Sequence, residues 1–337
     1  MAVALVTGAT GMLGGQVAQK LVAAGYEVRV LVRPSSDLRP LNGLPVQVVV
    51  SGAGEREVIR EAVNGCRWVF HAAASFHLGS AFTRTEELGR YKPASIDLTE
   101  TLMEAGLESG VERFVHVSTI GVYGLQAPSP LTEDSLLDPL SAYGQTKIAA
   151  EQLVRRYQQK GLPTTIVRPA IMYGPHDRHF FPAALRLVRM PLLPLINGGR
   201  NLYDLAYAGD VADLMLQAAG SERASGKTYN SGSGNPLAFR AYLKELGRQL
   251  GVTPRICSIP PILLARFTGV ARRYLKMFAP GVDTMMTPTG LAYLARDVYY
   301  DMSRAKEELG YVPRVSFREG VSTTLPYFGA AASRAVR

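Results

Sequence analysis

Short apolar runs alternate with amphipathic segments along the first half of the chain. The runs predict buried β-strands near residues 2–7, 27–32, 46–50, 67–71, 112–118 and 163–167. Apolar positions spaced by three or four residues predict helices near 12–24, 55–64, 94–109 and 142–160. Because this alternation is typical of a doubly wound parallel sheet, we predict an α/β Rossmann fold.

The second half of the chain is predicted to divide between two domains. Residues 202–207 and a helix from Asp210 to about Ala219 should return to the sheet. The dinucleotide-binding domain would then comprise residues 1–169 and 200–222. A smaller, mainly helical substrate-binding domain would comprise residues 170–199 and 223–337.

A glycine-rich turn separates the first predicted strand from the first helix. Its glycines are Gly8, Gly11 and Gly14. Glycines at this spacing allow a tight turn, a close approach of backbone to a pyrophosphate, and close packing of helix on strand. The helix N-terminus offers N–H groups to the anion. The strand-turn-helix context favours a dinucleotide site over a glycine-rich turn without a ligand.

Two side chains that can transfer a proton lie four residues apart in a predicted helix. Tyr143 and Lys147 therefore share one helical face. A lysine ammonium beside a phenol favours the phenolate, which would bring proton transfer toward neutral pH. Alone, the pair is weak evidence, because many helices carry it as exposed neighbours. Thr119 follows a predicted strand, at the sheet edge where ligands bind, and is placed to hydrogen-bond a reacting oxygen.

Taken together, the motifs resemble those of extended short-chain dehydrogenases/reductases, within the NAD(P)-dependent epimerase/dehydratase superfamily and its 3β-hydroxysteroid dehydrogenase-like and dihydroflavonol reductase-like group. They occur in the family's order over most of the chain, and jointly they are specific. The matching motifs are Thr7-Gly8-x-x-Gly11-x-x-Gly14, His71-Ala72-Ala73-Ala74, Ser118-Thr119 with Val122-Tyr123-Gly124, Tyr143-x-x-x-Lys147, Val167-Arg168-Pro169 with Tyr173-Gly174-Pro175, Asp210-Val211-Ala212, and Tyr229-Asn230-x-Gly232-Ser233-Gly234.

The resemblance implies roles for particular residues. The catalytic residues would be Thr119, Tyr143 and Lys147. The cofactor would contact Gly8, Thr10, Gly11, Met12, Leu13, Gly14, Arg33, His71, Ala72, Ala73, Lys147 and Pro169. Weaker candidates for substrate contacts are Ser75, His77, Met172, Phe180 and Tyr203. We expect no metal, because hydride chemistry requires none and a cleft loop explains the nearby His176 and His179.

The end of the second predicted strand bears on the choice of cofactor. An acidic residue there would bind the ribose hydroxyls of NAD, whereas Arg33 can pair with the 2′-phosphate of NADP. We therefore expect NADP. Alternatively, Arg33 stacks on the adenine and the site accepts NAD as well.

Several positions depart from the family's pattern. Ala53 takes the place of an adenine-binding Asp, and Ser95 that of an Asn in the polar relay around the lysine. Tyr203 stands where nucleotide-sugar enzymes carry a diphosphate-binding Arg, which argues against such substrates. The Asp-Glu pair that follows the threonine in dehydratases is replaced by Ile120-Gly121, which leaves no acid–base pair for elimination.

A late segment, residues 260–278, combines apolar residues with a basic face. The pattern is typical of an interfacial helix, and the resemblance implies that this region covers a hydrophobic substrate and can contact a membrane peripherally. The alternative is a basic-faced helix that simply packs on the smaller domain.

Composition narrows the class of protein. The 337 residues are 47% hydrophobic and carry a net charge of +9, but Lys and Arg form no basic runs, so we expect no nucleic-acid partner. An anionic cofactor, an acidic substrate or an anionic membrane surface explains the charge more simply. The two cysteines predict no disulfide framework. With no signal-peptide pattern and no long apolar span, these features predict a cytoplasmic protein.

Three functions follow as hypotheses. The favoured one is an NADP-dependent oxidoreductase that interconverts a secondary alcohol and a ketone on a hydrophobic substrate, steroid-like, alicyclic or a β-keto acid. An NAD-dependent sugar epimerase would use the same tyrosine and lysine, and a non-catalytic cofactor-binding protein would need no positioned acid. The resemblance also implies a homodimer through helices 94–109 and 142–160, with a seam of Leu98, Leu102, Leu107, Ile148 and Leu153.

Overall fold

The computed structural model describes residues 1–52, 54–74 and 96–329. Its strands are β1 Val3–Thr7, β2 Glu27–Val32, β3 Val46–Val50, β4 Cys66–His71, β5 Arg113–Val117, β6 Thr164–Pro169, β7 Ile171–Tyr173, β8 Leu193–Ile196, β9 Leu202–Tyr203, β10 Leu205–Tyr207, β11 Thr228–Ser231, β12 Leu237–Ala238 and β13 Ile256–Ile259. Its helices are α1 Met12–Ala23, α2 Arg56–Val63, α3 Leu98–Glu108, α4 Ala142–Gln159, α5 Phe180–Leu187, α6 Ala208–Gly220, α7 Phe239–Leu250, α8 Pro261–Arg266, α9 Thr268–Phe278, α10 Pro288–Leu294, α11 Ser303–Leu309 and α12 Phe317–Thr324.

The main sheet has seven strands in the order β11-β6-β5-β4-β1-β2-β3, and all of its pairings are parallel. The predicted Rossmann fold is therefore confirmed. The order reverses at β1, so the crevice beyond its carboxyl end lies between the two halves of the sheet, where open sheets of this type bind ligands.

Alternation along the strands divides the core between the two faces of the sheet. In β1, Val6 belongs to the core on one face and Leu5 to the core on the other. The face that contains Val6 is covered by α1 and α6, whereas α2, α3 and α4 cover the face that contains Leu5. Strands that are buried on both faces explain the continuous apolar runs from which the sheet was predicted.

The smaller part of the molecule is mainly helical, as predicted. It contains short strand pairs, β7 with β10, β8 with β13, and β9 with β12, together with helices such as α5, α7, α9 and α10. Residues 202–207 were predicted to rejoin the main sheet, but β10 pairs instead with β7. The following helix, α6, packs on α1 and thus returns to the sheet.

The seventh strand of the sheet was not expected from the sequence. Strand β11 pairs with β6, although the predicted division placed it in the smaller domain. Its sequence, Thr-Tyr-Asn-Ser, contains no apolar run. Hydrogen bonds of polar groups hold the strand in place instead. The Asn230 backbone N–H donates to Glu133 Oε1 at 2.8 Å, and the Asn230 side chain accepts from the Tyr123 hydroxyl at 2.7 Å.

A buried ion pair joins α4 to the sheet. Arg168 donates from Nε to Glu151 Oε1 at 2.8 Å and from Nη2 to Oε2 at 2.7 Å, and both residues are buried. Ser118 adds a third bond from its hydroxyl to Glu151 Oε1 at 2.6 Å. The carboxylate of Glu151 is therefore held by the ends of β5 and β6 at once.

We predict that Arg168→Met destabilises the protein by about 3–5 kcal/mol, since it leaves Glu151 buried without its bidentate partner. Arg155 offers a matched control, because it also bonds Glu151 Oε2, at 2.9 Å, but is 44% exposed at its side chain. Arg155→Ala should cost no more than about 1 kcal/mol. Urea unfolding of both variants measures the difference, and equal losses would contradict the importance assigned to the buried pair.

Candidate active site

The turn between β1 and α1 forms a cradle of bare backbone. Gly8 has φ of +74°, and a Cβ on it would lie 2.7 Å from the Ala73 backbone nitrogen. A Cβ on Gly14 would lie 2.3 Å from the Gly8 carbonyl oxygen. Both positions therefore require glycine. Gly8 needs it for its positive φ and for its close contact with the backbone just after β4, and Gly14 needs it because the helix packs directly on the turn.

The N-terminus of α1 fits a bound anion. Gly11, at the N-cap, supplies no side-chain cap, and the first turn of the helix contains no acidic residue. The first backbone N–H groups of a helix lack intrahelical partners and carry the positive end of its dipole. The cradle thus fits the pyrophosphate of a nicotinamide dinucleotide.

A buried hydrogen-bonded chain supports the cradle from below. His71 shares a hydrogen bond with the Thr7 hydroxyl at 2.7 Å and another with the Thr99 hydroxyl at 2.8 Å. The Ala73 N–H donates to Thr7 Oγ1 at 3.3 Å. Burial, and secondarily the charge of Lys147, lower the pKa of His71 to about 3, so the ring is neutral and its role here is positional. Sequence reasoning chose His71 from its motif but missed Thr7 and Thr99 as its partners.

Arg33 lies exposed at the end of β2, beside the end of β1. Its guanidinium makes no ion pair with the residues that the structure describes. Arg39 differs, because Asp37 binds its guanidinium with contacts of 2.9 and 2.7 Å. Arg178 approaches the same carboxylate at 4.0 Å. Of Arg33, Arg39 and Arg178, Arg33 is therefore the arginine whose guanidinium does not interact with Asp37.

Thr119, Tyr143 and Lys147 meet at the carboxyl ends of β5 and β6. Ser141 caps α4 by accepting from the Gly144 N–H at 3.1 Å, which starts the helix at Ala142. Thr119 follows β5, and its hydroxyl accepts from the Gly121 N–H at 3.1 Å, which leaves the hydroxyl hydrogen to donate elsewhere. All three predicted catalytic residues line one cavity.

Lys147 is buried, and its ammonium donates to the Val117 carbonyl oxygen at 2.7 Å. Burial lowers the pKa of Lys147 to about 8, and the carboxylate of Glu151, one turn later, opposes that shift. The ammonium therefore stays mostly protonated at pH 7. Its charge is available to a negative group in the cavity.

Gly144 fixes the position of Tyr143 relative to Thr119. A Cβ on Gly144 would lie 2.5 Å from the Gly121 carbonyl oxygen and 2.7 Å from Pro139 Cβ. The first turn of α4 thus packs directly on the loop after Thr119. Sequence reasoning missed this residue, although a glycine next to the tyrosine in a helix was a visible signal.

The cavity has a volume of about 430 Å³. Several predicted residues line it, namely Met12, Leu13, Ala72, Thr119, Tyr143, Lys147, Pro169, Met172, Phe180 and Tyr203. Outside its lining lie Gly8, Thr10, Gly11, Gly14, Arg33, His71 and Ala73, which belong to the turn, the network below it and the end of β2. Ser75, His77 and Ser95 fall outside the described residues, as does Ala53.

The far end of the cavity, to which the smaller, mainly helical part of the molecule contributes, is mostly apolar. Residues that sequence reasoning did not select form much of this end, because they come from distant segments: Leu187, Leu195, Phe239, Leu275, Met286, Tyr293 and Tyr300. Among the described lining residues, the charged side chains are those of Lys147 and Asp177. Asp177 accepts from the backbone N–H groups of three residues at the start of α5, so its carboxylate serves as a helix cap.

Comparison with known proteins identifies the family of the chain. The model of the NAD dependent epimerase/dehydratase family matches residues 4–232. A relative from Stigmatella aurantiaca, 4-hydroxy-2-methyl-3-oxo-4-farnesyl-3,4-dihydroquinoline-1-oxide ketoreductase, is 31% identical over 94% of this chain and 93% of its own. Sterol demethylase protein B from Methylococcus capsulatus is 29% identical over 94% of this chain and 97% of its own.

Solved structures share the fold. A UDP-glucose 4-epimerase from Thermotoga maritima, solved with UDP-glucose, has a TM-score of 0.77 at 24% identity, covering 97% of this chain and 98% of the epimerase. The chain belongs to the NAD dependent epimerase/dehydratase family. It is an NAD(P)-dependent enzyme of the extended short-chain dehydrogenase/reductase type.

We predict that Gly144→Ala lowers kcat/KM by about 100-fold, because the new methyl group must displace either α4 or the loop after Thr119. The contacted atoms belong to the Gly121 backbone and the Pro139 ring, which cannot move aside as a flexible side chain can. Gly106→Ala in α3 is the control, since its Cβ would meet the Leu162 side chain at an ordinary 3.5 Å. The control should keep its activity and gain up to about 1 kcal/mol of stability. Steady-state kinetics and thermal unfolding test both, and full activity in Gly144→Ala would refute the positioning role.

Proposed function

We propose that this enzyme uses NADP to interconvert a secondary alcohol and a ketone on a hydrophobic substrate, steroid-like, alicyclic or a β-keto acid. The observation that carries the proposal is the cavity itself. Thr119, Tyr143 and Lys147 line it together, and most of its other lining residues are apolar. Such a site orients an apolar molecule by its polar end and buries the remainder.

Tyr143 is proposed as the acid that protonates the carbonyl oxygen during reduction, and as the base in the reverse direction. Thr119 would donate its hydroxyl hydrogen to the same oxygen. Lys147, held by the Val117 carbonyl, would stabilise the tyrosinate through its positive charge and would hold the cofactor ribose. When bound, the nicotinamide supplies or accepts the hydride. Met12 and Leu13 at the start of α1, and Pro169 at the end of β6, would position it in the cavity.

The alternative of a nucleotide-sugar epimerase is less well supported. A sugar nucleotide carries a diphosphate, for which arginine is the usual bidentate partner. Lys147 is the one basic Lys or Arg side chain among the described lining residues, and Tyr203 occupies the position where the resemblance places that arginine. Tyr203 donates its hydroxyl to the Tyr293 carbonyl at 3.3 Å, so it closes this part of the cavity.

The names of two relatives support a hydrophobic substrate. One acts on a farnesyl-bearing quinoline oxide as a ketoreductase, and the other is named for sterol demethylation. We carry over the shared character of these molecules, a large apolar body, to the substrate of this chain. The particular molecule depends on cavity shape.

We also propose a homodimer through α3 and α4, with a narrower seam than the sequence indicated. Leu102 and Leu153 are buried within the protomer against the sheet. Leu98 and Ile148 are only partly buried, and Leu107 is 36% exposed. These three remain available for a contact between the helices of two copies, which sedimentation velocity at micromolar concentration can detect.

Tyr143→Phe should lower the rate of ketone reduction by about 10²–10⁴-fold with little change in cofactor affinity, since it removes the proton donor alone. Tyr203→Phe is the matched control, because it removes a phenolic hydroxyl from the same cavity without touching the proposed acid. It should stay within about tenfold of the parent enzyme. A panel of steroids, cyclic ketones, β-keto acids and UDP-sugars with NADPH finds the substrate. Normal turnover by Tyr143→Phe, or turnover of UDP-sugars only, would overturn the proposal.

Arg33→Gln should weaken NADPH binding about tenfold to hundredfold, corresponding to a loss of about 1.5–3 kcal/mol, and leave NADH binding nearly unchanged. The lost interaction is the pair between the guanidinium and the 2′-phosphate. Arg39→Gln is the comparison, because Asp37 already holds that guanidinium, and its effect should be smaller. Fluorescence titration measures the dissociation constants of NADPH and NADH for the parent enzyme and for each variant. Tighter binding of NADH than NADPH by the parent enzyme would reject NADP as the preferred cofactor.

A further inference from the structure

One loop of the smaller, mainly helical part reaches across to the half of the molecule proposed to bind the dinucleotide. It comprises residues 174–179, between β7 and α5, and we call it the crossing loop. It passes the start of α1, since a Cβ on Gly174 would lie 3.6 Å from Met12 Sδ. It then reaches the loop after β2, where Arg178 Nη2 lies 4.0 Å from Asp37 Oδ2. The crossing loop therefore contacts two of the elements that flank the glycine-rich turn.

The backbone of the crossing loop is restrained. His176 has φ of +64°, in the left-handed region that residues with a side chain rarely adopt. The Asp177 N–H donates to the Gly174 carbonyl oxygen at 3.1 Å, and the Asp177 carboxylate accepts from the first backbone N–H groups of α5. Asp177 is buried and lines the cavity, whereas the side chain of Arg178 is 61% exposed. Two adjacent residues of one restrained turn thus face the cavity and the loop after β2.

Asp177 links the crossing loop to the cavity wall. Like every other helix among the described residues, α5 is too short or too polar to cross a membrane, and it serves as one wall of the cavity. Its lining residues are Phe180, Ala183, Ala184 and Leu187. Because the Asp177 carboxylate caps this helix, the freedom of the crossing loop determines how often the first turn of α5 opens.

Asp37 holds its two arginines unequally. The Arg39 guanidinium contacts the carboxylate at 2.9 Å through Nε and at 2.7 Å through Nη2. Arg178 approaches the carboxylate only at 4.0 Å. An ion pair between exposed side chains at that distance contributes little to stability. Arg178 can therefore exchange Asp37 for a stronger anion at small cost, whereas Arg39 is already well bound.

The charges beside the end of β2 match one phosphate group. A tight turn brings Arg33 close to Asp37 along the chain, because the Ser36 N–H donates to the Arg33 carbonyl oxygen at 2.9 Å. Arg33, Arg39 and Arg178 carry three positive charges. The carboxylate of Asp37 carries one negative charge, so two positive charges remain. A phosphate monoester carries about 1.5 to 2 negative charges at pH 7.

We propose that the 2′-phosphate of NADP replaces Asp37 as the partner of Arg178, and that the crossing loop thereby couples cofactor binding to the wall of the substrate cavity. This rests on the proposed use of NADP. Arg33 would bind the phosphate from the end of β2, and Arg178 would bind it from the smaller part of the molecule. A phosphate held from both sides restrains Arg178, and with it Asp177 and the start of α5. The coupling is reciprocal, so an occupied cavity favours the 2′-phosphate in return.

The first test is titration calorimetry of the full-length protein with adenosine 2′,5′-bisphosphate and with 5′-AMP, neither of which has a nicotinamide. Arg178→Gln should weaken binding of the bisphosphate about tenfold and leave 5′-AMP unchanged, since one charge-assisted bond is lost. Asp37→Asn should strengthen binding of the bisphosphate about fivefold, because it removes the competing carboxylate. Arg186→Gln is the matched control, because this exposed arginine of α5 donates to the Pro280 carbonyl instead, and it should have little effect.

The second test is amide hydrogen exchange of residues 179–184 with each nucleotide at saturation. The N–H groups of Phe180 and Phe181 donate to Asp177, so their exchange reports on the capped turn. In the parent protein the bisphosphate, but not 5′-AMP, should slow this exchange about fivefold. Arg178→Gln should abolish the slowing even at saturating bisphosphate, while binding through Arg33 persists.

Different outcomes would overturn the proposed cofactor and the coupling. Equal binding of the two nucleotides by the parent protein would reject NADP, and the coupling with it. A preference for the bisphosphate that Arg33→Gln removes and Arg178→Gln retains would leave NADP as the cofactor and reject the role of Arg178. Weaker binding of the bisphosphate in both Asp37→Asn and Arg178→Gln would show that the pair only joins two loops. Unchanged exchange at the start of α5 in the parent protein would reject the coupling.

Discussion

The carboxylate of Glu151 is the constraint on which the active site depends. It lies one helical turn after Lys147, and it receives hydrogen bonds from Ser118 at the end of β5 and from Arg168 near the end of β6. Burial alone would raise the pKa of Glu151, but the hydrogen bonds and charge of Arg168 outweigh it and lower that pKa. The group is therefore ionised, and a buried ionised carboxylate tolerates only the geometry that satisfies it. Helix α4 is thereby fixed along its axis against two strands.

Fixing α4 also sets the electrostatics around Tyr143 and Lys147, the residues proposed to transfer the proton. Arg168 neutralises Glu151, so the lysine ammonium is only partly compensated by the carboxylate. The two histidines below it add no charge, because burial lowers the pKa of His71 to about 3 and that of His116 well below its usual value. Of the charged side chains Lys147, Glu151 and Arg168, the lysine is consequently the one without an ion-pair partner among the described residues. A positive charge held in a poorly solvated place acts strongly on a neighbouring phenolate or phosphate.

Much of this arrangement can be predicted from the sequence, because main-chain geometry restricts which residues can occupy the turn and the strands. Gly8 and Gly14 must be glycine for reasons of backbone conformation and contact, so the turn is visible as a pattern. The strands buried on both faces are visible as apolar runs. Strand β11 was missed because hydrogen bonds of Asn230 with Tyr123 and Glu133, rather than apolar side chains, hold it in place. Polar partners that are distant in sequence leave no periodic signal.

The far end of the cavity escapes prediction for a different reason. Its lining residues are ordinary apolar side chains from many segments, and nothing in the local pattern distinguishes a side chain that lines a cavity from one that fills a core. Tyr203 illustrates the difference: the sequence showed that an expected arginine was missing, but only the fold shows that its hydroxyl reaches the Tyr293 carbonyl and closes the wall. The half proposed to bind the dinucleotide is thus built largely from backbone, which permits few sequences, and the half proposed to bind substrate is built from side chains, which can change one at a time. A chain can retain the first half almost unchanged while the second adapts to a new molecule, which is why motifs of this kind identify the chemistry before they identify the substrate.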